Sequence, residues 1–130
     1  MTAYADIATG IGRVLLSAIF ILAGFAKLMG AAGTIAFIES KGLPLPQIVY
    51  ALTVALELGG GLLLLVGFQA RWVALAFAGF CVVSALIFHL DFSDQTQQTM
   101  FLKNLAIAGG MLFVFANGAG GYSIDRRRGA

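Results

Sequence analysis

The chain has 130 residues and a formal net charge of +2, with 60% apolar residues and only 11% charged ones, where a soluble domain carries about 25%. Eight basic and six acidic side chains cannot cover a globule of this size with a solvated surface. That excludes a soluble enzyme domain, a disordered tail and a nucleic-acid binder, and it leaves lipid as the solvent of a single domain over residues 1–130.

Four apolar runs follow one another, at about residues 7–29, 48–68, 72–90 and 100–117. Each is long enough to cross a hydrocarbon core of about 30 Å at 1.5 Å per residue. Lipid tolerates only helices or closed barrels, and these runs are too uniformly apolar for barrel strands. The expected fold is an all-α, integral-membrane four-helix bundle. No lysine or arginine precedes the first run and three more runs follow it, so it reads as a retained span rather than a cleaved signal.

The first span carries Arg13 and Lys27. At 100° per residue, Ser17, Phe20, Gly24 and Lys27 all fall within about 40° of Arg13, so one polar-edged face should point into the bundle. The connection at residues 30–47 is expected to hold a short interfacial helix over residues 31–40. Gly42 would end it, and Pro44 and Pro46 would bar its continuation. Phe37 and Ile38 would dip into the headgroups or cap the bundle.

The second span places Glu57 nine residues deep, about 13 Å at helical rise and near the midplane. An ionisable group there costs about 2.5–3.5 kcal/mol on insertion scales and needs a reason. Two alternatives exist for Arg13: it pairs with Glu57, or it snorkels to the headgroups. Gly59, Gly60, Gly61, Gly109 and Gly110 would let helices approach closely, within one bundle or in a homo-oligomer.

The third span contains Cys81, the single cysteine, which excludes an internal disulfide and reads as packing. His89 ends that span, and a lone histidine excludes bis-histidine haem ligation by one chain. Lys103 and Asn104 open the fourth. Lys27, His89, Lys103 and Asn104 would share one leaflet with Glu57 beneath them. Such a pocket suits a flat carbonyl-bearing ligand such as a quinone, with histidine as the residue type that relays protons near neutrality. The bland alternative is interfacial anchoring by snorkelling lysines and a helix-ending histidine. The basic run Arg126, Arg127 and Arg128 places both termini in the cytoplasm, with Arg71 in agreement. Asp125 beside that run reads as surface.

Taken in order, these residues resemble the DoxX family of small four-span bacterial inner-membrane proteins. The segments that carry the resemblance are Arg13-Val14-Leu15-Leu16, Gly24-Phe25-Ala26-Lys27, Gly42-Leu43-Pro44, Glu57 with Gly60-Gly61, and Gly67 with Arg71. His89 with Phe92, Gln98, Lys103-Asn104-Leu105, Gly109-Gly110 and Tyr122-Ser123-Ile124-Asp125 complete the set. The resemblance implies an inner-membrane subunit of a quinone- or thiol-linked redox system, tied to oxidative stress and served by a partner subunit. Its matching positions are Arg13, Lys27, Glu57, His89, Lys103 and Asn104. On that reading Glu57 and His89 are the candidate catalytic proton carriers. Arg13, Lys27, Lys103 and Asn104 are the candidate ligand-binding residues, with a quinone as the ligand and neither a metal nor a covalently bound cofactor. The competing expectations are a small proton-linked transporter component and a non-catalytic membrane scaffold.

Overall fold

The computed structural model describes residues 2–129, and they form helices and loops only. Helix α1 covers Ala3–Met29, α2 Ala31–Ser40 and α3 Pro46–Val54. A π-helical turn, Ala55–Gly60, joins α3 to α4, Gly61–Val66. Then follow α5, Ala70–Phe88, α6, Gln95–Asn117, and the short α7, Ile124–Arg127. Helix α1, the continuous Pro46–Val66 rod, α5 and α6 are each long and apolar enough to cross a membrane. Large apolar side chains such as Tyr4, Leu22 and Phe113 stand on the outside, as expected where lipid is the solvent.

The apolar runs locate the helices, and capping residues set their ends. Helix α1 starts at Ala3 because the Thr2 hydroxyl accepts from the Ala5 N–H, which satisfies one of the first-turn donors. Helix α6 starts at Gln95, ahead of the apolar run at residue 100, because the Asp94 carboxylate accepts from the Thr96 N–H at 2.9 Å. Gly67 closes α4 at φ +74°, the left-handed conformation that glycine adopts without steric cost.

Packing follows the small residues. Helix α5 buries the small residues Ala70, Ala74, Ala78, Cys81 and Ala85 together with Phe77, and small residues let neighbouring helices lie close. Phe20 of α1 stacks on Phe77 of α5 with ring centroids 4.0 Å apart. The glycines divide in role. A Cβ on Gly61 would lie 2.8 Å from Ile21 Cγ1, and one on Gly60 would lie 3.0 Å from Phe77 Cζ. Gly59 and Gly109 have no atom within 4 Å of that position, so they are not points of close helix approach.

At one end of the bundle the terminal segments lock together. The Gly121 N–H donates to the Asp6 carboxylate of α1 at 2.9 Å. Asp125 is a half-buried helix cap, a correction to its reading as surface. Its carboxylate accepts from the Gln69 N–H at 2.7 Å and the Ala70 N–H at 2.9 Å. Those are first-turn donors of α5 with no intrahelical acceptor, and a carboxylate there also meets the positive end of the helix dipole. Asp125→Ala should therefore cost about 0.5–2 kcal/mol, the range for loss of an N-cap. Asp125→Asn, which keeps an acceptor, should recover most of it in thermal melts of the detergent-solubilised protein.

Candidate functional site

A cavity of about 260 Å³ lies at the opposite end, under α2. Helix α2 is its roof. Thr34, Phe37 and Ile38 line it, Ile38 is buried, and Phe37 stacks on Phe88 of α5 at 5.5 Å. Ile38 caps the bundle, while Phe37 stays about half exposed.

The floor is Glu57, whose side chain is 5% exposed. The Lys27 ammonium, with its side chain 32% exposed, lies 2.9 Å from Oε1 and 3.3 Å from Oε2. Only the Oε2 contact has the direction of a hydrogen bond, so Oε1 is buried and held by charge without a donor aimed at it. This is the only ion pair among the described residues.

Two local features bring the pair together. The π-helical turn Ala55–Gly60 contains Glu57, and such turns are rare single-turn insertions frequent at functional sites. Gly24, one turn before Lys27, lies against that turn. A Cβ there would fall 2.8 Å from Leu58 Cγ and 3.1 Å from the Leu58 N. Tyr50 then fixes the end of α1 by donating its hydroxyl to the Lys27 carbonyl at 3.0 Å.

His89, Lys103 and Asn104 line the same cavity. The His89 Nδ1 lies 2.9 Å from Oε1 of Gln97, as placed in the structure. That contact ties the ring to the start of α6 and fixes its orientation at the cavity wall. Five of the six residues singled out from the sequence thus meet around one space.

Arg13 does not join them, and neither expected role describes it. It is 3% exposed, at the end of the bundle that holds the termini. It donates from Nε to the Ala119 carbonyl at 2.8 Å and from one amino group to the Leu64 and Leu65 carbonyls, both at 2.8 Å. The other amino group donates to the Tyr122 carbonyl. The guanidinium fork fits this planar set of acceptors, and two of them belong to the end of α4, where carbonyls lack intrahelical donors. A Cβ on Gly67 would collide with Ser123 and with this guanidinium.

Sequence reasoning missed several cavity residues. Thr34, Thr53 and Ser84 line the space beside Phe20, Phe80 and Phe88. Hydroxyl residues are common in spans, so none of these stood out. Gln97, eight residues after His89, was visible only as part of a polar stretch.

The sequence profile of the DoxX family matches residues 8–90, and the chain belongs to that family of membrane proteins. It is 42% identical over 121 residues to the inner membrane protein YqjF of Escherichia coli (strain K12), covering 93% of this chain and 92% of that protein. It is 34% identical over 123 residues to the inner membrane protein YphA of the same organism, covering 90% and 87%. A shorter likeness, 38% over 73 residues, covers 56% of this chain and 53% of a Bacillus subtilis (strain 168) protein named "Putative oxidoreductase CatD". No solved structure matches the chain.

Proposed function

We propose that this chain is the membrane subunit of a quinone- or thiol-linked redox system and that the α2-capped cavity binds a quinone-like ring. One observation carries the reading: a buried carboxylate, Glu57, paired with the Lys27 ammonium, borders a cavity that His89, Lys103 and Asn104 also line. The space is slightly smaller than the roughly 300–1,000 Å³ of drug-sized sites, and its aromatic walls with a few polar groups suit a single flat headgroup. The partial likeness to CatD agrees with a redox role.

A bound quinone would supply two-electron, two-proton chemistry. The chain's own residues would hold it and manage protons. Lys27, Lys103 and Asn104 donate to carbonyl oxygens. Glu57 Oε1 accepts from a ring hydroxyl. His89 relays a proton to or from the ring. Electrons go to or come from a partner subunit, because this chain supplies no redox centre of its own on this reading.

The orientation belongs to the same proposal. Arg71, Arg126, Arg127 and Arg128 gather at the termini end, so the positive-inside rule puts that end in the cytoplasm. The cavity then lies in the outer half of the inner membrane. The π-helical turn gives a proton-linked transporter some footing. The span nevertheless continues through it from Pro46 to Val66, without the half-helix ends that transporters aim at their solutes.

The test is a thermal-shift panel of quinones, quinols and small thiols on the detergent-purified protein. A shift of several degrees with one class is expected, lost in both Glu57→Gln and His89→Ala. A wild-type protein that responds to none of them, or a response that both variants keep, overturns the reading.

A further inference from the structure

We infer that the ligand carries a lipid tail, that the tail lies in the groove between α1 and α6, and that the headgroup enters the cavity sideways from the bilayer. The inference rests on the reading of the cavity as a headgroup site and goes beyond it by fixing the ligand class and its route.

The cavity holds about 260 Å³, room for a ring but not for a ring and a chain. A groove of about 740 Å³ adjoins it along α1 and α6, with an almost wholly apolar lining that includes Leu15, Leu16 and Phe113. Ile19, Lys103 and Ile107 line both spaces. They are the threshold between them.

The seam is the loose one in the bundle. Helix α1 packs chiefly on α4 and the π-helical turn, and α6 packs chiefly on α5. The two meet where the Leu16 side chain covers Gly110, whose added Cβ would lie 3.3 Å from Leu16 Cδ2. Above and below that point the groove stays open. Gly12 lies in it, and a Cβ there would meet no atom within 4 Å.

Uncharged polar residues, Thr9 and Asn117, mark the far end of the groove, and the charged groups lie in order between there and the cavity. From Thr9 to Ile19 the α1 wall is about 15 Å long at helical rise, close to the extended length of a decyl chain. Arg13 borders this stretch, but its guanidinium is already committed to backbone carbonyls. Lys103 is the charged group at the end that opens into the cavity. A molecule with one polar ring and one apolar tail matches that order: the ring over Glu57, the tail past Ile19 and Ile107, the chain end near Gly12.

Two probes with the same ring separate head from tail: 2,3-dimethoxy-5-methyl-1,4-benzoquinone, which has no tail, and decylubiquinone. Their affinities for the full chain in lipid nanodiscs are measured by calorimetry, with Gly12→Phe, Gly12→Ala and Glu57→Gln alongside. Gly12→Phe projects a ring into the groove from a position where an added Cβ meets no atom within 4 Å, and it replaces a poor helix former. The wild type should bind the tailed probe at least tenfold more tightly. Gly12→Phe should remove that advantage and leave the tail-less probe unchanged, Gly12→Ala should change neither, and Glu57→Gln should weaken both. If Gly12→Phe keeps the full tail advantage while Glu57→Gln weakens both probes, the groove inference falls and the headgroup site stands. If Glu57→Gln weakens neither probe, or neither binds the wild type, both fall.

Discussion

Arg13→Ala should be the most damaging single substitution in this chain. It removes a donor from four backbone carbonyls at once, those of Leu64, Leu65, Ala119 and Tyr122, of which Leu64 keeps the Gly67 N–H at 3.2 Å. A buried acceptor left without a donor costs about 1–3 kcal/mol. The Ala119 bond is fully buried and the Leu65 and Tyr122 bonds are partly so, so the total should reach about 3 kcal/mol, at the upper end of single-substitution effects. The alternative donor, water, is scarce at this depth. Arg13→Lys should fall between, because an ammonium is a compact point charge and lacks the planar fork that reaches acceptors on two chain segments. The readout is resistance to thermal denaturation in detergent, together with proteolysis of the C-terminal segment. The account expects residues 119–128 to become protease-sensitive before the rest of the bundle melts. An Arg13→Ala protein as stable as the wild type would show that the carbonyl cage contributes nothing.

The second large effect concerns the site, and its sign is asymmetric. Lys27→Met leaves Glu57 without its ion-pair partner, and a buried charge stripped of its partner costs about 3–5 kcal/mol. Glu57→Gln leaves a lysine that is one-third exposed and can turn its ammonium toward water or headgroups. Its cost should be about 1 kcal/mol, within the usual range for a single substitution. The double variant removes both charges and should regain most of what Lys27→Met loses. A double-mutant cycle on detergent melts measures this directly. Equal losses in the two single variants, with no recovery in the double, would mean that the pair is not coupled. Stability and ligand response then part company: Glu57→Gln should be nearly as stable as the wild type yet unable to bind the quinone probe. A scaffold held by a structural lock would show the reverse.

Much of this fold was legible because lipid imposes one rule on every backbone amide. The spans are found by length and apolarity alone, and the α2 helix by its flanking glycine and prolines. The inward face of α1 was equally legible: Arg13, Ser17, Phe20 and Gly24 are the residues buried on it. Helical angle arithmetic finds a face whatever it packs against. The partners on that face were less so. Arg13 was matched to Glu57 because both are charged, yet its true acceptors are carbonyls 51 to 109 residues away. Carbonyls belong to every residue and leave no mark in a sequence. Only the chain reversals at Gly67 and after Asn117 bring them into reach. The π-helical turn is silent for a similar reason, since hydropathy does not change across it. The glycine triplet at residues 59–61 is the one local sign, and it reads equally well as helix packing.

The candidate site was legible as a list and not as a geometry. Lys27, Glu57, His89, Lys103 and Asn104 stand out because ionisable and amide groups in spans are costly. Which cation meets Glu57, which partner holds the His89 ring and which residues line the walls depend on rotamers and on Gln97. Those come only with coordinates.

The most direct test of the central claim is photolabelling of the full chain with an azido-substituted benzoquinone, mapped by mass spectrometry. The account predicts label on the last turn of α5 and the first turns of α6, around Ser84, Phe88, Met100 and Lys103, and its loss in Glu57→Gln. Label spread along the lipid-facing residues, or concentrated at the termini end around Arg71 and Arg126 and indifferent to Glu57→Gln, would contradict it.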